Sequence, residues 1–239
     1  MPQDDIPYTV RRSTRARRVR VAIHGHDVVE VVLPPSATEQ SAAAAVRELA
    51  PWIRRRLAEA QSAREQVGRR PGFVPYLGDE LRLVPQLGRS RVHRRDLHLL
   101  VPSHDTPAAL ERWYRRAARR EIEPRLDRAT RTAGTAYSGL TIRGQRTRWA
   151  SCSAGGRMSF NWRLLLAPAR VLEYVVWHEV CHLEVMDHSA RFWSLLQARW
   201  PDYREHRDWL RTHGATLVLD ESLSAPALAR RQDRRLIVT

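Results

Sequence analysis

From Val171 to Val185 the chain reads as an almost wholly apolar helix, VLEYVVWHEVCHLEV, and three residues sit oddly on it: His178, Glu179 and His182. Burying an unpaired polar group costs roughly 1–3 kcal/mol and an unpaired charge costs more, so this stretch folds only if the three are given partners. Residues four apart lie above one another on a helix face, so His178 and His182 project two imidazoles toward one point. Glu179 sits one residue round from His178, beside that point. The pattern is H-E-x-x-H, in which both His bind one ion and the Glu serves as base toward a water there.

His188 follows His182 by six residues, past an expected turn at Met186 and Asp187. A chain that doubles back there brings a third imidazole to the same ion; Asp187 and Glu205 are the substitutes. Three protein ligands and one open position describe a catalytic zinc, whereas a structural zinc is closed by four ligands. Cys181 adjoins His182 and projects about 100° away from it round the helix. Cys152 is too distant in sequence to place. The +6 spacing also occurs in the long metzincin pattern, but that pattern needs Gly where this chain has Val185. The expected cofactor is one Zn2+ per chain.

The 239 residues, 43% of them apolar, suffice for one large domain or two small ones. No window approaches 18 uninterrupted apolar residues and the start, MPQDDIPYTV, lacks a hydrophobic segment, so neither a membrane span nor a signal peptide is expected. A soluble cytoplasmic protein follows, and two cysteines agree with a reducing compartment. The net charge of +15 suits anionic partners, including nucleic acid bound through an Arg-rich surface. All 41 basic residues are Arg, however, and they are scattered. Runs such as RRAARREIE pair at helical spacing, so solvated helix faces account for many of them.

VRVAIHGHDVVEVVLPP predicts a hairpin around Gly25, and TEQSAAAAVRELA with PWIRRRLAEAQSAREQ predicts helix. GRRPGFVPYLGD reads as a Gly/Pro break, LRLVP and LHLLVP as strands. Residues 106 to 133 return to helical spacing, with a kink at Pro124. LTIR, RTRWASC and RMSFN predict a strand and a hairpin turning at Gly155 and Gly156. Pro168 stands at an expected first helical position, a further helix starts near Ser189 and stops at Pro201, and another stops at Gly214.

RTRWASCSAGGRMSFNWRLLLAPARVLEYVVWHEVCHLEVMDHSARFW resembles the YgjP-like family of metal-dependent hydrolases, similar in active-site layout to SprT-like and WLM zinc peptidases. RSTRARRVRVAI, VLPPSATEQ, PWI, LGDELRL and WPDYREH extend the resemblance over about residues 8 to 213. It implies His178, His182 and His188 as zinc ligands and Glu179 as general base. Arg148, Trp149, Ser151 and Cys152 fall on the family's R-W-G-S-C segment, and Asn161 on its l-N-W-R-L segment; Arg148, Asn161 and Arg146 are the expected substrate-binding residues. Ala150 departs from the family's Gly, which matters if that position needs a positive φ. The aromatics Trp149, Trp162, Phe192 and Trp193 are expected to pack around the metal helix.

The expected fold is α+β: an N-terminal mixed β-hairpin and helix region packed on a zincin-like minimal metallopeptidase domain, a small sheet plus the H-E-x-x-H helix. The expected boundaries are 1–104, 105–218 and a tail at 219–239. The first functional reading is a zinc-dependent hydrolase of the metallopeptidase type, with RMSFN as an edge strand that an extended peptide extends by backbone hydrogen bonds. The second is a nucleotide pyrophosphohydrolase, with Arg143, Arg146 and Arg148 neutralising a polyphosphate and Arg146 and Arg148 sharing a strand face. The third is a basic nucleic-acid-associated module with structural zinc, against which the presence of Glu179 speaks.

Overall fold

The computed structural model describes residues 6–24, 28–66, 70–145 and 148–219. Among the described residues the chain forms two compact units that divide near residue 68, with 212–216 joining the first.

In the first unit β2 (Arg20–His24) and β3 (Val28–Leu33) pair antiparallel, as the hairpin reading expects. β1 (Tyr8–Arg12) adds to β3 in parallel, giving the order β1-β3-β2. Val29, Val31 and Leu33 alternate onto the buried face and meet Ala42 and Val46 of α1 (Glu39–Glu48) and Ile53 of α2 (Ala50–Gln66). Thr38 caps α1, its hydroxyl accepting from the Ser41 N–H at 3.3 Å. Pro51 lies in the first turn of α2, where its missing N–H is harmless.

The second unit holds a sheet of order β4-β5-β7-β6, from β4 (Phe73–Tyr76), β5 (Asp79–Gln86), β6 (His93–Arg95) and β7 (His98–Pro102). The Gly/Pro break expected before LGD thus contains a strand. Pro75 is tolerated because β4 is at the sheet's edge, and its carbonyl accepts from the Tyr114 hydroxyl at 2.5 Å. Leu81, Leu83, Leu99 and Val101 pack on α3 (Thr106–Ala133) within one apolar core. The expected boundary at 104/105 falls inside this core, whereas the compact units divide near residue 68. α3 runs as one helix through Pro124.

A three-stranded sheet follows, from β8 (Gly139–Arg143), β9 (Ala150–Cys152) and β10 (Arg157–Asn161). Its order is β8-β10-β9. RMSFN is therefore central, paired with β8 in parallel and β9 antiparallel, and the expectation that it forms an edge is corrected. β8 and β9 are the edges instead. Sequence order misleads here because the connection from β8 skips one position before β10 fills it.

A 3-10 turn (Trp162–Leu166) leads to α4 (Ala169–Cys181). Pro168 is the residue before the helix rather than its first. Backbone bonds from Leu77 N–H to the Leu165 carbonyl (2.8 Å) and from Ala169 N–H to the Leu77 carbonyl (3.1 Å) tie the start of α4 to the end of β4. α5 (Ala190–Arg199) and α6 (Tyr203–His213), the latter as far as Arg211, belong to the same unit. Among the described residues the fold is mixed α/β, with small sheets and six α-helices. No helix among them is long and apolar enough to cross a membrane. The 220–239 part of the expected tail lies outside the described residues.

Candidate metal centre

α4 ends at Cys181, four residues short of the apolar run, with His182 as its cap. The last bonds tighten: Leu183 N–H reaches the Val180 carbonyl and Glu184 N–H the Cys181 carbonyl, three residues back. His178 and His182 still occupy one face. The turn after His182 returns the chain so that His188 joins them, and ligand nitrogens of the three rings lie within 4.8 Å of one another. His178 Nε2 and His188 Nε2 are 3.0 Å apart. Nitrogens bound to a tetrahedral zinc at ~2.0–2.1 Å lie about 3.3–3.4 Å apart, so a small adjustment accommodates an ion.

The ring chemistry fits as well. His182 Nδ1 is 3.0 Å from the Val185 carbonyl, which can only accept, so this nitrogen carries the proton and Nε2 keeps its lone pair. Burial, with His182 and His188 adding to it, holds His178 down at about 3, and burial also lowers His182. Both imidazoles are neutral, the form that binds metal. Phe192 stacks on His182 with centroids 4.5 Å apart, and Trp193 lies against His188 at 5.7 Å. The aromatics expected as packing do pack: Trp162 is buried against Tyr114, and Trp149 borders the same core.

Glu179 is buried, and burial pushes its carboxyl up to about 8, partly opposed by a hydrogen bond from the Cys152 backbone N–H. Its Oε2 has no hydrogen-bond partner. This leaves a buried carboxyl oxygen with unused hydrogen-bonding capacity close to the three imidazoles. Burial, then Glu179, also raises the Cys152 thiol to about 11, and Cys152 does not join the His group.

The Cys152 bond follows from the β9–β10 register. Asn161 N–H bonds the Trp149 carbonyl and Ser153 N–H the Arg157 carbonyl, so alternation turns the backbone groups of Ala150 and Cys152 outward from the sheet. One outward N–H meets Glu179. Ala150 is not among the residues with positive φ, so its methyl introduces no backbone strain.

The other sequence candidates are placed differently. Asn161 is buried with its amide committed: Nδ2 donates to the Gln145 carbonyl (2.7 Å) and the Arg148 carbonyl (3.2 Å), and Oδ1 accepts from Arg163 N–H (3.1 Å). It fixes the loop leading into β9. Arg148 and Arg143 are exposed, one before β9 and the other ending β8, and Arg146 lies outside the described residues. Asp187 accepts from Ser189 N–H at 3.1 Å, and neither it nor Glu205 joins the His group. Tyr174, one turn before His178 and 6.0 Å from its ring, was not singled out from the sequence, although its i−4 spacing from His178 is the available signal. The Val185 carbonyl and the Cys152 N–H carry no side-chain signal.

The model of the YgjP-like metallopeptidase domain matches residues 17–213 of this chain. The chain belongs to the YgjP-like family. As a YgjP-like metallopeptidase domain it is a metal-dependent hydrolase, and the His group lies within the matched span. Comparison with curated proteins found no match. Among solved structures the chain is similar to the metallopeptidase zymogen of Pyrococcus abyssi abylysin, at 24% identity and a TM-score of 0.35, over 38% of this chain and 92% of that one. A likeness of that degree establishes neither a shared fold nor a shared substrate.

Proposed function

We propose that this YgjP-like chain is a zinc-dependent metallopeptidase of zincin-like design, in which His178, His182 and His188 hold one zinc ion and Glu179 is the general base. The observation that carries the reading is the Glu179 carboxyl, buried beside the three imidazoles and hydrogen-bonded to an outward N–H of edge strand β9. Bound zinc supplies Lewis-acid polarisation of a carbonyl and acidifies water toward a pKa of ~7.

The chain's own residues do the rest. Glu179 accepts a proton from the attacking water and returns it to the leaving amine, a role suited to a carboxyl whose ordinary pKa is raised by burial. The Cys152 N–H fixes the carboxyl's orientation. The Ala150 backbone groups, facing away from β10, accept an extended peptide as an added strand beside the base. This edge favours a peptide over a nucleotide, because it recognises backbone amides.

The zinc-loaded protein and Glu179→Gln are compared on a peptide mixture. The variant should keep its zinc and lose about 10²–10⁴-fold in cleavage. Undiminished cleavage removes Glu179 from the mechanism. A wild type that leaves every peptide intact and releases pyrophosphate from nucleoside triphosphates overturns the peptidase reading.

A further inference from the structure

Arg207 projects from α6 and is exposed. Its guanidinium carbon lies 5.2 Å from the Trp193 ring centroid and 5.9 Å from that of Tyr203, and these two rings stack at 5.5 Å. Trp193 in turn borders the metal centre, 5.7 Å from His188 and 6.2 Å from His178. Tyr174, whose ring meets His178, experiences the charges of both Arg207 and Glu179. Arg207, the aromatic pair, Tyr174 and the three imidazoles are thus linked by successive contacts within the second unit, with Arg207 and His188 exposed at its surface.

Unlike Arg115, Arg119 and Arg125, which pair with carboxylates, Arg207 lies on aromatic rings. No ion pair to it occurs among the described residues, and the adjacent Asp208 is engaged 3.5 Å from the Arg211 Nε. Tyr203 carries a second cation, Arg204, which is occupied by a hydrogen bond to the Tyr203 hydroxyl at 3.2 Å. Stacking on two rings restricts the Arg207 side chain, so less rotamer entropy is lost when its planar donors meet a carboxylate. Solvation alone would not require it to lie on rings that touch the reaction centre.

We infer that Arg207 is a specificity-determining residue that binds a substrate carboxylate next to the bond being cleaved. This rests on the metallopeptidase reading and deepens it: the substrate class is an acidic peptide. The carboxylate can come from an Asp or Glu side chain or from the peptide's own C-terminus; the chemistry at the guanidinium is the same.

The test has two arms. In the first, the zinc-loaded wild type, Arg207→Gln and Arg207→Lys digest a peptide library whose cleavage sites are read by mass spectrometry. Wild type should favour bonds with an acidic residue or a free C-terminus nearby. Arg207→Gln should lose about tenfold or more in kcat/KM on those bonds, mainly through KM, and leave neutral peptides unchanged. Arg207→Lys should restore part of the loss. Amidated peptides with internal Glu, set beside neutral peptides with free C-termini, separate the two sources of the carboxylate.

In the second arm, calorimetry measures binding of those same peptides and their fully neutral, amidated counterparts to Glu179→Gln, without turnover. Tighter binding of carboxylate peptides, abolished by adding Arg207→Gln, supports the inference. Equal binding of charged and neutral peptides overturns it, as does an acidic preference that survives Arg207→Gln, and both leave the peptidase reading standing. Failure of the wild type to cleave any peptide defeats the peptidase reading, and the calorimetric arm still decides whether Arg207 selects carboxylates.

Discussion

Phe192 is fully buried and stacked on the face of His182, while the Val185 carbonyl holds the edge of that imidazole through Nδ1. The ligand's direction is therefore set before any ion arrives, which lowers the cost of binding one. Phe192→Ala should destabilise the protein by about 3–5 kcal/mol in denaturant unfolding. It should also weaken zinc retention about 10–100-fold in a competition titration, as loss of a ligand's support typically does. Unchanged zinc affinity in a destabilised Phe192→Ala would reduce the stacking to ordinary core packing. The His pair and Glu179 were legible because one helix turn fixes their relation. The Val185 carbonyl and Cys152 N–H were not, since backbone groups enter the site only through how the chain turns after His182 and how β9 registers on β10.

Between elements, α4 is held to α3 by charge as well as by apolar contact. Arg125 donates to the Glu121 carbonyl at 2.6 Å and to its carboxylate at 2.5 Å, and its Nε lies 3.1 Å from Glu173 Oε1 on α4. The last is an ion pair without aligned hydrogen-bond geometry. Tyr76 joins from β4 by donating to Glu121 at 2.9 Å. Side-chain exposure of 19–28% for Arg125, Glu173 and Glu121 puts this cluster between the surface and buried regimes. Arg125→Ala should therefore cost about 1–3 kcal/mol, read as a shift of the unfolding midpoint. A shift no larger than that of the exposed control Arg112→Ala would show that the bridge contributes nothing. Element identity was largely legible in this unit, α3 and α4 above all, because long apolar periodicity has one solution. Strand order was not: RMSFN looks like an edge because its neighbours in sequence say nothing of the parallel pairing with β8. β4 was hidden by Pro75, which an edge position tolerates.

At the scale of the whole molecule, two separate apolar clusters divide the chain near residue 68, at the Gly/Pro break visible in the sequence, and not at the expected boundary of 104. The hydrophobic face of β5 and β7 belongs with α3, a long-range relation that no local pattern reveals. The same core holds Tyr76 and Tyr174, and Tyr137 lies at its margin; burial first, with neighbouring carboxylates such as Glu121 and Asp127 adding for Tyr76 and Tyr137, raises each to about 12. Raised folded values mean that the unfolded chain releases its phenolic protons first. Stability from these groups is complete below about pH 10 and is lost as pH rises toward about 12. Urea midpoints across that range should fall, and fall less steeply in Tyr76→Phe; equal slopes would remove Tyr76 from the effect.

Zinc binding to the folded chain alone should raise the melting temperature, and a chelator should lower it to that of His188→Ala. The direct test of the metal centre is metal content by mass spectrometry on protein never exposed to chelator, wild type beside His188→Ala. About one zinc per chain in the wild type, with much weaker retention in the variant, is the predicted result. A wild type that carries no zinc and takes none up from solution would contradict the three-histidine centre, and with it the catalytic role of Glu179.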